Sequence, residues 1–127
     1  MIKLVLLIRK KTGMSDEDFR SYYENTHAIL AKQMLPQITT YRRNYVREEI
    51  RRSATGEIIC EADSRPFDVI TEQYFESRAA FDAAMLVFSQ AEAAKRMADD
   101  EAELFDRSTI RAFPVEEYPS DGGWERE

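Results

Sequence analysis

The sequence predicts an α+β domain of the ferredoxin-like type, with the order strand, helix, strand, strand, helix, strand. Three observations predict it. Alternating apolar runs recur four times, at Ile2–Lys10, Ile38–Glu48, Asp68–Glu76 and Thr109–Glu117. Two segments with helical spacing, each opened by a serine, separate the first run from the second and the third from the fourth. The first run is aliphatic on both faces, which suits a strand covered on two sides.

Each element has a local reason. Ile2, Leu4, Leu6 and Ile8 share one face of the first strand, and Lys3, Val5, Leu7 and Arg9 the other. Thr12-Gly13 marks a turn. Ser15 is placed as an N-cap, with Asp16, Glu17 and Asp18 in the first turn of a helix expected over 16–33. Its stripe reads Phe19, Tyr22, Tyr23, Thr26, His27, Leu30, Ala31 and Met34, and Pro36 stops it. In the second strand, Thr39, Tyr41, Arg43 and Tyr45 face one way, and Thr40, Arg42, Asn44 and Val46 the other. The stretch 50–67, with Thr55-Gly56 and Pro66, is either functional or the tip of an extended hairpin. In the third strand Val69, Thr71, Gln73 and Phe75 alternate with Ile70, Glu72 and Tyr74. Ser77 caps a second helix with the stripe Phe81, Ala84, Met85, Phe88 and Ala91. Asp100 and Glu103 suggest a cap for a short extra helix before Leu104 and Phe105. Pro114 in the fourth strand points to an edge or a bulge. Residues 1–118 form one domain in this reading, and 119–127 a polar C-terminal tail.

Composition narrows the function. The chain has 127 residues, enough for one core, and 18 Lys+Arg against 24 Asp+Glu, a formal net charge of −6. That field repels a nucleic acid or an anionic membrane, so neither is expected as a partner. One cysteine forms no internal disulfide, and the longest aliphatic run is too short to span a bilayer. Met1 leads straight into a strand, so a cytoplasmic location is expected. Four glycines make no dinucleotide fingerprint. One histidine and one cysteine make no zinc set, so neither metal nor cofactor is expected. Because the first strand is apolar on both faces, a second copy is expected to cover the open face of the sheet. The prediction is a homodimer, a dimeric α+β barrel.

Several residues are candidates for chemistry. His27, the sole histidine, sits on the sheet-facing stripe, and imidazole titrates near working pH. It is either a catalytic or ligand-binding group or a packing histidine. Tyr23 lies one turn before it on the same stripe. The Tyr41 hydroxyl, turned toward the helices, shares a cavity with His27 and with Thr71 or Gln73, or else its ring fills the core. Arg43 shares the Tyr41 face and offers a site for a substrate carboxylate. Arg42, Arg43, Arg47, Arg51 and Arg52 form a basic cluster, interrupted by Glu48 and Glu49 and read as a solvated strand end or dimer contacts. Asp106 either orients His27 or caps the start of the last strand. Cys60 has no activating neighbour in sequence. Trp124, in the tail, is a candidate for docking on a partner chain.

The opening Ile2–Lys10, joined to Gly13-Met14-Ser15, Phe19, Tyr22-Tyr23 and His27-Ala28, resembles the EthD family. Phe75 before a capped helix, Leu104-Phe105-Asp106 and Val115-Glu116-Glu117 agree with it. The resemblance implies a homodimer with a pocket between helices and sheet, lined by His27. It also implies cofactor-free dehydration, cyclisation or isomerisation of small, largely apolar oxygenated substrates. A related lactone isomerase has a helical histidine and a strand tyrosine matching His27 and Tyr41. Its strand cysteine falls where this chain has Gln73, and an amide cannot exchange a proton with carbon as a thiol does. The expected function is proton transfer through His27, with Tyr23, Tyr41, Arg43, Gln73 and Asp106 binding the substrate. The alternative is a non-catalytic binding or accessory protein for a monooxygenase or degradation pathway.

Overall fold

The structure, a computed structural model, describes residues 1–61 and 65–120. The elements are β1 (Ile2–Lys10), α1 (Asp16–Tyr22), a π turn (Tyr23–His27), α2 (Ala28–Met34), β2 (Ile38–Tyr45), β3 (Glu49–Arg52), β4 (Ile58–Glu61), β5 (Val69–Phe75), α3 (Arg78–Leu86), a 3₁₀ turn (Val87–Ser89), α4 (Ala91–Glu101) and β6 (Phe105–Val115). Strands β2-β5-β1-β6 form one antiparallel sheet in that order, and β3-β4 form a separate hairpin. The α+β, ferredoxin-like architecture of the sequence reading is the observed one.

The local devices work as expected. Ser15 Oγ accepts from the Asp18 N–H at 3.0 Å, and Ser77 Oγ from the Ala80 N–H at 3.1 Å. Each satisfies a helix N–H that has no partner within its own helix. Gly13 holds the β1–α1 turn at φ +84°, a conformation that favours glycine. Pro114 lies on β6, which among the described residues pairs with β1 alone and forms an edge of the sheet.

Two boundaries differ from the reading above, and the stretch after β2 takes the hairpin alternative that the reading offered. The stretch after β2 is the β3–β4 hairpin, closed by a Gly56 N–H to Ser53 carbonyl bond of 3.0 Å. The helical region after Ser77 breaks at Val87–Ser89 and restarts as α4. Among the described residues no further helix lies between α4 and Phe105, which opens β6 and pairs with Lys10. The charged surface of α4 disguised one long solvated helix as a weakening pattern. Three of the five clustered arginines take separate partners. Arg43 turns to the helix side against Glu24, Arg42 stacks over Tyr74, and Arg51 pairs with Glu49 in the hairpin. Trp124 and residues 121–127 of the tail lie outside the described residues.

Helices cover one face of the sheet. There the core forms two clusters, one around Ile8, Phe19, Tyr23, Val69 and Phe105, the other around Leu4, Leu35, Ile38, Phe75 and Phe81. Each fully buried large side chain contributes about 1.5–3 kcal/mol. The opposite face carries Lys3, Val5, Leu7, Glu72, Tyr74 and Phe113. Lys3 bridges Glu72 and Glu117 there. Among the described residues no helix is long and apolar enough to cross a membrane.

Candidate active site

Phe19, Tyr23, His27, Ala31 and Leu35 recur every four residues, and all five are buried. In an unbroken α-helix each such step overshoots a full turn by about 40°, so the row would swing off the sheet. The wider π turn takes up that drift, with the Ala28 N–H donating to the Tyr23 carbonyl. The same turn leaves Thr26, expected on the stripe, exposed. Tyr23 and His27 therefore sit one above the other against the sheet, ring centroids 5.4 Å apart and edge to face.

The His27 side chain is 5% exposed. Its Nδ1 lies 2.7 Å from Oδ2 of Asp100 on α4, and the other Asp100 oxygen accepts from the Tyr22 hydroxyl at 2.6 Å. A carboxylate only accepts, so Nδ1 carries the proton and Nε2 is the nitrogen left for a guest. Asp100 also stabilises positive charge on the ring. Its bond, with partial burial, pushes the Tyr22 phenol up to about 12.

His27 borders a cavity of about 180 Å³ at the seam between the two core clusters. Leu4, Leu6, Ile8, Ala31, Leu35 and Phe105 make its apolar walls. Tyr23, Tyr41 and Gln73 make its polar wall. The Tyr23 hydroxyl is 2.7 Å from Thr71 Oγ1 and 3.3 Å from the Tyr41 hydroxyl. Burial raises both phenols above their ordinary value, while Gln73 partly offsets the effect at Tyr41. They stay protonated and act as hydrogen-bond donors. The mouth lies where Met85, Phe88 of the 3₁₀ turn and exposed Ala112 of β6 meet Glu101 at the end of α4.

The structure brings together His27, Tyr23, Tyr41 and Gln73. It does not bring Arg43 or Asp106 into this cavity. Arg43 donates from Nε and Nη2 to both oxygens of Glu24, at 3.0 and 2.6 Å, and its guanidinium lies 4.7 Å from the Tyr41 ring centroid. It borders an open outer groove with Ile29, Lys32 and Gln33, where Tyr41 alone touches both spaces. A fork already satisfied by Glu24 is a poor substrate clamp. Tyr45 also donates to Glu24, whose carboxyl is held below its usual range chiefly by Arg43. Asp106 sits within β6, accepts from the Ser108 N–H and hydroxyl at 3.2 and 2.6 Å, and borders a different, polar groove. It caps its own strand. Orienting His27 falls to Asp100 instead.

Sequence reasoning missed Asp100 as a partner of His27 and Glu101 as a cavity residue. Seventy-three positions separate His27 from Asp100, and a carboxylate on a charged helix carries no local sign of what it will face. Among the described residues no group of three or more His, Cys, Asp or Glu is placed to hold a metal ion.

The family model described as EthD domain matches residues 11–108. The chain is similar to the solved structure of an EthD family protein from Bacillus halodurans, at 21% identity and a TM-score of 0.60, covering 93% of this chain and 99% of that one. It is similar to HapK from Hahella chejuensis at 16% identity and a TM-score of 0.56, covering 94% and 95%. An EthD-like protein from Ralstonia eutropha matches at 16% identity and a TM-score of 0.56, covering 90% and 86%. At these identities the likeness shows the fold. No curated protein matches the chain.

Proposed function

The chain belongs to the EthD family, and we propose that it is a cofactor-free enzyme acting by proton transfer through His27. Its substrate is a small, largely apolar organic molecule with a carbonyl or phenol oxygen, and the reaction is a dehydration, cyclisation or isomerisation. One observation carries the reading: an inward imidazole, tied to Asp100 through Nδ1, borders a mostly apolar cavity that also holds two protonated phenols. In that setting Nε2 takes or gives a proton, and Asp100 steadies the charge that develops on the ring. Tyr41, with the Gln73 amide beside it, meets the substrate oxygen and stabilises negative charge on it. A space of about 180 Å³ suits a single ring, since a benzene fits an engineered cavity of about 150 Å³.

The test has two stages. Single-ring phenols, enones and lactones are screened by thermal shift, and binders are then followed for conversion by chromatography. We expect His27→Ala to lower kcat about a hundredfold or more. A binder that stabilises both proteins and that the wild type never converts refutes catalysis. That result supports the binding or accessory role instead.

We also propose that the protein is a homodimer packed through the open face of its sheet. Supporting it, Phe113 and Val115 of β6 are 39% and 37% exposed, beside half-buried Val5 and Leu7 of β1. A sedimentation mass of one subunit at micromolar concentration contradicts it.

A further inference from the structure

Two side chains bordering the cavity carry an imidazole or a carboxylate, His27 and Glu101. The other polar groups there are two phenols, kept protonated by burial, and an amide, all of which donate hydrogen bonds. Neighbouring residues on an α-helix project about 100° apart. Helix α4 thus sends Asp100 behind the imidazole to Nδ1, and Glu101 to the mouth of the cavity. The Glu101 side chain is 22% exposed and accepts from Arg107 Nε at 3.3 Å.

We propose that Glu101 is a second proton-transferring residue of this site, paired with His27 on a small cyclic ketone or lactone whose carbon–carbon double bond moves into conjugation. The proposal rests on the proton-transfer reading above. The Glu101 carboxylate removes a proton from the carbon between the carbonyl and the double bond. The electron pair of that C–H bond flows into a dienolate, whose oxygen accepts a hydrogen bond from the Tyr41 phenol. The His27 imidazolium, paired with Asp100, delivers a proton to the far carbon of the old double bond, and the carbonyl re-forms. One C–H bond breaks and one forms, so the substrate is neither oxidised nor reduced. Proton exchange with water restores Glu101 and His27. A site with two carriers on different elements separates removal from delivery, which a lone histidine must combine.

The test uses β,γ-unsaturated cyclohexenone as probe, with the conjugated product followed by its ultraviolet absorbance. In D₂O the wild type is expected to place solvent deuterium on the γ-carbon. Glu101→Gln should lower kcat about a hundredfold or more, with KM changed by less than about threefold. Glu101→Asp should regain part of the loss. Arg107→Gln should lose far less than Glu101→Gln, and an equal loss would make the ion pair structural and overturn the assignment. If Glu101→Gln turns over within about threefold of wild type while His27→Ala does not, Glu101 is excluded and the His27 reading stands. A wild type that binds the probe without converting it overturns both.

Discussion

Replacing Asp100 by leucine tests the site without needing a substrate. The carboxylate accepts from His27 Nδ1 at 2.7 Å and from the Tyr22 hydroxyl at 2.6 Å. Leucine keeps much of the volume and removes both acceptors. The His27 side chain is 5% exposed, so its N–H has no water to turn to. A buried donor left unpaired costs about 1–3 kcal/mol. Tyr22 is only half-buried, its hydroxyl can reach solvent, and losing that bond costs about 0.5–1.5 kcal/mol. The expected loss is thus about 1.5–4.5 kcal/mol, a drop in Tm on the order of 10 °C for a domain of this size. The Tyr22 phenol should also fall from about 12 toward its ordinary 10. The raised folded value means that this contribution is complete below pH 10 and disappears as pH rises from 10 to 12. The gap in stability between wild type and Asp100→Leu should therefore narrow by the Tyr22 share over that window, while the His27 share persists. Denaturant unfolding against pH, with tyrosinate absorbance recorded alongside, measures both effects. An unchanged Tyr22 titration together with unchanged stability at neutral pH refutes the bridging role of Asp100.

Three further outcomes follow from the same geometry. Glu24→Gln weakens the fork from Arg43 and the Tyr45 bond; because the folded Glu24 carboxyl is depressed, the difference from wild type should be full above its ordinary 4.5 and fade as pH falls through the folded value, as urea midpoints across the acid range will show. Gly13→Ala meets no atom within 4 Å, so its cost is the backbone strain of φ +84°, about 1–2 kcal/mol by chemical denaturation. Ala112→Phe narrows the mouth from an exposed position on the edge strand; unfolding stability should stay within about 0.5 kcal/mol, while affinity for any ligand found in the thermal-shift screen drops, and unchanged affinity would place the entrance elsewhere.

What the sequence determined was everything that depends on a few neighbouring residues. Period-two alternation placed the four sheet strands. Ser15, Ser77 and Gly13 act within one turn of their own position, so their roles were readable before any fold was known. The inward direction of His27, and its company of Tyr23, Tyr41 and Gln73, followed from helix and strand periods applied to the right order of elements. What only the tertiary structure decided depends on chain segments meeting. The π turn that carries Tyr23 and His27 onto one line exists because the helix must follow the sheet, and nothing in the local sequence demands it. Arg43 was diverted from a ligand by Glu24, Asp106 by its own strand neighbour Ser108, and Asp100 was brought to the imidazole by α4 docking beside α2. The cavity is the sharpest case. It is a gap between two clusters of otherwise close-packed side chains, and a gap is a property of how surfaces fit across the whole domain rather than of any stretch of chain.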